Sequence, residues 1–359
     1  MMQRIIKETV LRGYFLLRLP FLYLLEFLFA APYVKPEKIS RILIIRLDRL
    51  GDLILSLPLI DNLRAAYPDA KIDSLVRGYL FDIAGMIKGI DDVIAYDGIY
   101  DAFHRLPGRK YDLVIDMLRD YKIEPAIVSL FSKAPVRVGF KGAFREILFN
   151  RPVDKLEGSG KKMVDLNLEL LRPLDVPALV TIPTFDIGTR PAVKTLTIAI
   201  HPGGHYESQR WHPDRFALLI RKILENYSVK ILVLGGANDR KGIGRIIKSV
   251  ADKNVEAVFP TMKDLARLLS ASSLLVCNNS GPLHLAAALG VATVSMMGPT
   301  DPVLWWPSGS DQVVIRKGDL CGPCSLGWCP SHRCMELITV EDVFNKVRDL
   351  LDKRYGFKR

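Results

Sequence analysis

Cysteine is scarce: five in 359 residues, too few for a disulfide-dense secreted scaffold. Four of the five nevertheless fall within fourteen residues, at Cys321, Cys324, Cys329 and Cys334, with Cys277 alone elsewhere. Several functional signatures are missing. There is no GxxxxGK(S/T) phosphate loop, no strand followed by GxGxxG, no GxSxG and no HExxH. ATP hydrolysis, dinucleotide redox chemistry, serine hydrolysis and zinc proteolysis all lose ground accordingly. An Asp-x-Asp element is also lacking, so a diphosphate would be held by a helix terminus and basic side chains rather than through a metal. Long apolar runs are absent too. The most apolar stretch, residues 14 to 31, is broken by Arg18, Pro20 and Glu26, and one charge near the centre of a spanning helix costs roughly 3 kcal/mol. Acidic residues are outnumbered, 39 against 50 Lys and Arg, for a net charge of +11, a balance that favours phosphates, nucleic acid or an acidic membrane surface.

What is present describes a globular α/β chain. It is 49% hydrophobic and 25% charged, with 26 Gly and 22 Pro, and its length suits two medium domains at about 150 residues each. Residues 1 to 38 carry six Lys or Arg against three acids. Such a segment reads best as an amphipathic helix on an anionic leaflet, attached through Lys7, Arg12 and Arg18 with its Phe and Leu side chains at the interface. A helix docked on the protein's own surface is the plainer alternative. Glu26 inside the apolar stretch argues against a signal peptide.

From Arg41 onward, short β-branched runs alternate with helical stretches. Strands are expected at 41 to 47, 71 to 77, 91 to 97, 111 to 117 and 136 to 140, with helices at 52 to 67, 79 to 88 and 124 to 133. A Pro- and Gly-richer stretch ends in IGTRPAVKT, 187 to 195, which reads as a linker. The same grammar then restarts, with strands expected within 195 to 204, 229 to 236, 274 to 281, 291 to 298 and 312 to 317. Thr261 with Asp264, and Thr339 with Asp342, look like capping boxes for helices at 262 to 272 and 340 to 354. The predicted fold is α/β: two doubly wound Rossmann-like domains facing a cleft. The segments are 1 to 38, a first domain at 39 to 190, and a second domain at 191 to 359.

Ligands of open parallel sheets bind beyond the carboxyl ends of the strands, which singles out four loops. The first holds Asp48-Arg49-Leu50-Gly51-Asp52, where Gly51 permits a tight turn and Asp52 opens a helix. Asp52 could cap that helix or act as a general base, with Arg49 and Gly51 in the acceptor-side loop. In the second, Gly203 and Gly204 let backbone amides approach an anion, while Gln209 and Arg210 precede Trp211 and Arg210 offers a bidentate phosphate contact. The third contains Asp239, able to accept from a ribose or to cap a helix. The fourth, Asn278 to Gly290, is the sharpest signal. Asn279, Ser280 and Gly281 run into a helix with Pro282 in its first turn and His284 one turn from the anion site.

Taken together, ILIIRLDRLGDLILSLPLIDNLRAAYPDAKID (42 to 73), IHPGGHYESQRWHPDRFALLI (200 to 220), LVLGGANDR (232 to 240) and CNNSGPLHLAAALG (277 to 290) resemble glycosyltransferase family 9, the ADP-heptose:lipopolysaccharide heptosyltransferases. The likeness covers roughly residues 40 to 350. It implies a glycosyltransferase-B fold, nucleotide sugar on the second domain, acceptor on the first, and inversion at the anomeric carbon with no cofactor needed for catalysis. The family's base falls on Asp52, and its diphosphate-binding helix start on Ser280, Gly281 and His284. The chain departs from the family's common pattern at Gln209, often Lys, and Asn279, often Asp.

The expected activity is therefore heptosyl transfer from ADP-heptose to a lipopolysaccharide core or another lipid-linked saccharide, by an enzyme held at the inner face of the cytoplasmic membrane. The rivals are a nucleotide-sugar epimerase or hydrolase of the same fold, and a basic nucleic-acid-binding protein. The second lacks basic and aromatic residues clustered on one element beyond the amino terminus, so nucleic acid is not an expected partner. Cys321, Cys324, Cys329 and Cys334 have the thiols for a structural metal site, for disulfides or for reduced packing; their spacing is not that of two CxxC knuckles.

Overall fold

The structure is a computed structural model that describes residues 16–30, 33, 37–156, 158–188, 196–318, 323–324 and 326–356. The chain forms two compact units, Met1–Ser159 with Val164–Thr181, and Gly160–Met163 with Ile182–Arg359. The 182–188 stretch runs with the second unit, where Phe185 N donates to Ala288 O at 2.9 Å. Most of the expected linker, residues 189–195, lies outside the described residues.

Each unit is built on a six-stranded sheet. In the first, β1 (Arg41–Arg46), β2 (Lys71–Arg77), β3 (Asp92–Tyr96), β4 (Leu113–Asp116), β5 (Val136–Phe140) and β6 (Arg151–Val153) lie in the order β3-β2-β1-β4-β5-β6. In the second, β7 (Thr197–His201), β8 (Lys230–Leu234), β9 (Val255–Val258), β10 (Leu274–Asn278), β11 (Ala292–Met296) and β12 (Gln312–Ile315) lie in the order β12-β11-β10-β7-β8-β9. All pairings are parallel. Counted from its own first strand, the second sheet repeats the 3-2-1-4-5-6 order of the first, the doubly wound arrangement. The order reverses between β1 and β4 in one sheet and between β7 and β10 in the other. These are the switch points where ligands of such sheets bind.

The central strands are near-continuous apolar runs because helices cover both faces of a parallel sheet. Ile42, Leu43, Ile44 and Ile45 of β1 are all buried, as are Leu274, Leu275 and Val276 of β10. Two strands were not expected, β6 and β9, and both are sheet edges. Edge position is what lets β6 accommodate Pro152, which has no N–H to give a second neighbour. The helix expected at 52 to 67 is two helices, Leu50–Ile54 and Leu57–Ala66. Pro58 lacks an amide hydrogen and its ring would crowd the carbonyl four residues back, so the chain restarts there. Over 79 to 88 only a 3-10 turn, Gly78–Leu80, and one helical turn, Phe81–Ala84, form. Thr339 and Asp342 make a reciprocal capping box; Thr261 accepts from Asp264 N at 3.2 Å, but its hydroxyl, not its amide, meets the Asp264 carboxylate.

The amino-terminal helix, Leu19–Phe29, has two faces. Leu22 and Leu25 are buried against Ala126, Ile127, Leu130 and Phe131 of the first unit. Phe21, Tyr23, Leu24, Phe27 and Leu28 face outward, Phe27 being 82% exposed. Arg18 is not presented outward as expected: its guanidinium donates to the carbonyls of Ala143 and Tyr121. Beside a carbonyl cluster, a cation gains more from those oxygens than from solvent. Lys7 and Arg12 lie outside the described residues. No helix among the described residues is long and apolar enough to cross a membrane.

Candidate active site

In the first unit, β1 delivers a charged residue where the apolar run ends. Arg46 is only 2% exposed, and its nitrogens are all directed at main-chain carbonyls. Nε and Nη2 donate to Asp52 O at 3.0 and 2.9 Å, and Nη1 donates to Met117 O at 2.7 Å, just past the end of β4. One guanidinium thus ties together the two loops flanking the switch point. Its charge is shared by two carboxylates, with Nε 3.4 Å from Asp48 Oδ1 and Nη2 3.9 Å from Asp52 Oδ1.

Asp52 sits in the first turn of the Leu50–Ile54 helix, whose N-cap is Arg49. Its carboxylate does not cap that helix and accepts no hydrogen bond among the described residues, while its main-chain carbonyl takes Arg46 and Ser56 Oγ. The capping reading of Asp52 is therefore set aside. Gly51 was expected to make a tight turn, yet it lies buried in helical backbone and not at positive φ. The turn is made two residues earlier by Arg49, exposed and extended at φ −124°, ψ 171°. The loop after β4 is fixed by a second buried pair: Arg145 meets the Asp116 carboxylate and also donates to Leu118 O at 2.7 Å, while Leu118 N donates to Asp116 Oδ1 at 2.9 Å.

The second unit repeats this bracing with an amide in place of a cation. Asn278, fully buried at the end of β10, donates from Nδ2 to Pro202 O at 2.8 Å and Gly203 O at 3.1 Å, and accepts Trp211 N at 3.0 Å. The loop after β7 is thereby pinned at both ends. Only glycine fits at 203, because a Cβ there would lie 2.8 Å from both Asp239 Oδ1 and His201 Cε1. Gly204 is less restricted, its added Cβ meeting Arg210 Cγ at 3.2 Å.

The expected free fork of Arg210 is closed. Nε and Nη2 both donate to Gly204 O, at 2.9 and 2.7 Å, because that carbonyl turns back toward the side chain in the tight 204–210 loop. Nη2 is also 3.8 Å from Asp239 Oδ1. Gln209 is held by Thr300 Oγ1 at 3.1 Å. Asp239 does cap its turn, accepting Gly236 N on Oδ2 at 2.9 Å, with Oδ1 left toward Gly203 and Arg210.

Ser280 is the N-cap of the Gly281–Ala288 helix, yet its side chain makes no capping hydrogen bond. The hydroxyl donates instead to Asn278 O at 3.2 Å and lies 3.3 Å from His201 Nδ1. The amides of the first turn thus have no side-chain acceptor, the arrangement that suits an anion. Asn279 is half-buried, its amide donating to Met296 O at 3.1 Å. His284 is 4% exposed and Nδ1 has no hydrogen-bond partner among the described residues. Burial lowers its pKa to about 4 and also lowers that of His201, so both rings are neutral near pH 7.

The cysteine segment supports the 203–211 loop. Ser208 donates from N to Gly327 O at 3.4 Å and from Oγ to Leu326 O at 2.5 Å, and His332 Nε2 lies 2.9 Å from Ser208 O. Cys324 and Cys329 are free thiols, Cys324 exposed and Cys329 half-buried; Cys334 is buried, and Cys321 lies outside the described residues. Among the described residues no three His, Cys, Asp or Glu side chains converge as a metal site.

Arg46 is a site residue that sequence reasoning passed over, while Asp48 and Asn278 stood in the loops it singled out without a role assigned. Two of them carried a signal. Arg46 is a charge inside a strand, and Asn278 ends an otherwise apolar one.

Two doubly wound sheets of this kind, with an anion-ready helix terminus at one switch point and a braced carboxylate at the other, make up the architecture of the glycosyltransferase-B fold. The family model described as glycosyltransferase family 9 (heptosyltransferase) matches residues 99–332, and the chain belongs to that family. Lipopolysaccharide heptosyltransferase 3 of Escherichia coli is 25% identical over 296 residues, 75% of this chain and 86% of its own length. The solved ADP-heptose lipopolysaccharide heptosyltransferase II of E. coli superposes with a TM-score of 0.75 at 22% identity, covering 88% of this chain and 99% of its own. An E. coli heptosyltransferase solved with ADP gives 0.72 at 19% identity, covering 87% and 100%.

Proposed function

We propose that the protein transfers a heptose from ADP-heptose to a lipopolysaccharide core or other lipid-linked saccharide, with inversion. The observation that carries this reading is the uncapped start of the Gly281–Ala288 helix, with the buried, unpartnered Nδ1 of His284 one turn inside it. The helix amides and dipole stabilise the diphosphate as it leaves, and a neutral His284 adds a hydrogen bond without competing for the proton. Arg210, folded on Gly204, contributes its positive charge and its remaining N–H groups rather than an open fork. Asp52 takes the proton from the acceptor hydroxyl as that oxygen attacks the anomeric carbon; the C–O bond to the diphosphate breaks and the nucleoside diphosphate departs. Its carboxylate is suited to this because Arg46 fixes its backbone while leaving both carboxylate oxygens without a hydrogen bond among the described residues.

The acceptor's lipid anchor is matched by the outward apolar face of the Leu19–Phe29 helix, which lies on the membrane interface while Leu22 and Leu25 hold it to the first unit. This face supports attachment of the enzyme at the inner face of the cytoplasmic membrane. The relatives support the assignment, since the Escherichia coli sequences at 25% and 24% identity are lipopolysaccharide heptosyltransferases. Asp52→Asn tests it. Transfer should fall by about 10²-fold or more while ADP-heptose still raises the melting temperature as in the wild type. Retention of more than about a tenth of the rate removes the base assignment.

A further inference from the structure

We propose that Asp48 is a positioning residue for the transfer, one that sets the basicity of Asp52 through the Arg46 guanidinium they share. The inference rests on the reading of Asp52 as the base. Asp48 and Asp52 both lie within 3.9 Å of Arg46, at 3.4 and 3.9 Å, and each side chain is 18% exposed. Nε and Nη2 of Arg46 donate to Asp52 O and Nη1 to Met117 O, and among the described residues neither carboxylate takes a hydrogen bond from Arg46, so both receive its charge across a longer gap. Asp48 Oδ1 is buried and has no hydrogen-bond partner among the described residues.

The groups around Asp48 come from four elements. Arg46 comes from β1, Asp52 from the helix that follows, with Arg49 at its start, Asp116 from β4, and Tyr79, whose hydroxyl donates to Asp48 O at 3.3 Å, from the turn after β2, where Arg77 donates from Nε to Leu47 O at 2.7 Å. Of the cations among the described residues, Arg46 is the one within 4 Å of both carboxylates, and Asp116 is already paired to Arg145. Burial raises Asp48 to about 7, with Asp52 and Asp116 pushing the same way and Arg46 opposing.

The consequence follows from sharing. While Asp48 holds its proton, the charge of Arg46 is directed at the Asp52 carboxylate alone. When Asp48 ionises, it draws on the same cation and sets a second negative charge beside the reacting carboxylate. That charge favours transfer of the acceptor's proton toward the pair.

The test is the pH dependence of kcat/KM for the acceptor between pH 5.5 and 8.5, measured on wild type, Asp48→Asn, Asp48→Glu and Asp52→Asn. Wild type should rise through the neutral range. Asp48→Asn, a neutral isostere of the protonated state, should match wild type within about twofold at pH 6 and be slower by about 3- to 10-fold at pH 8, with a flat profile between. Asp48→Glu should keep a neutral-range rise. The melting temperature gives a second readout: Asp48→Asn should gain more over wild type at pH 8 than at pH 5.5, since the penalty for burying Asp48 begins above its unfolded value of 3.8 and grows until the pH passes about 7. A neutral-range rise that persists in Asp48→Asn, an equal loss at every pH, or an Asp48→Asn protein that does not fold at pH 6 would each overturn the proposal. Residual transfer by Asp52→Asn would instead overturn the base assignment, whatever Asp48→Asn does.

Discussion

Arg46 and Asp52 are joined through the backbone: the guanidinium donates from Nε and Nη2 to the Asp52 carbonyl, at 3.0 and 2.9 Å. A fork of this kind fixes the first helical turn and with it the origin of the Asp52 side chain. Lysine has a single nitrogen and cannot reproduce it. Arg46→Lys should keep the fold and lower kcat by about 10²-fold, the scale expected when a reacting group is displaced by an ångström. Steady-state kinetics with a parallel measurement of donor binding checks this, and the donor Kd should stay within about threefold of wild type.

Gly203→Ala should weaken nucleotide binding. The new methyl would sit 2.8 Å from Asp239 Oδ1 and from His201 Cε1, so both side chains must move. Overpacking of this kind costs about 1 to 3 kcal/mol. Gly244→Ala is the control: it lies in the Arg240–Val250 helix with nothing within 4 Å of its added Cβ, and it should stabilise by up to about 1 kcal/mol. Calorimetric titration with ADP and a thermal melt of each variant separate the two effects.

Acid should destabilise the second unit through His284. Its folded pKa, about 4, lies below the value of 6.5 for a free histidine. The unfolded chain therefore takes up a proton that the native state refuses. Stability is fully present above pH 6.5 and is lost as pH falls toward 4, by up to about 3 kcal/mol from this one group. His201, lowered in the same direction by burial, adds to the slope. Urea unfolding at steps between pH 7 and 4.5 should show a shallower decline in His284→Asn than in wild type.

For the amino-terminal helix, face matters more than deletion. Removing it would expose Ala126, Ile127 and Phe131, so truncation confounds membrane binding with folding. Leu24→Glu with Phe27→Glu alters only outward positions and should leave the melting temperature within about 2 °C while reducing co-sedimentation with anionic vesicles several-fold. Leu22→Glu, buried, should instead lower the melting temperature.

Much of this was legible in the sequence where pattern and environment agree. The interior strands read clearly because β1 and β10 are buried on both faces and so are apolar throughout. The Gly281–Ala288 helix read clearly because Ser280, Gly281 and Pro282 punctuate its start. The Arg240–Val250 helix was passed over, since RKGIGRIIKSV carries two glycines and four cations; its buried Ile243 and Ile246 lie three apart on one face. The edge strands β6 and β9 are too short and too polar to announce themselves. Hidden altogether were Arg46 reaching Met117, 71 residues on, and Asn278 reaching back to Pro202. Such bonds depend on the strand order, which brings β4 beside β1 and β10 beside β7. The closure of Arg210 on Gly204 is a matter of loop conformation that residue types do not encode.

The most direct measurement is ADP release by the full-length chain from labelled ADP-heptose, with and without a lipid-linked core saccharide lacking its terminal heptose, in the presence and absence of EDTA. The account predicts release only when the acceptor is present, label recovered in the acceptor with the anomeric configuration inverted, and the same rate with chelator, because the helix terminus, His284 and Arg210 carry the leaving charge. ADP-heptose consumed equally fast without acceptor would contradict it and mark a hydrolase, as would a strict requirement for a divalent metal contradict the leaving-group assignment.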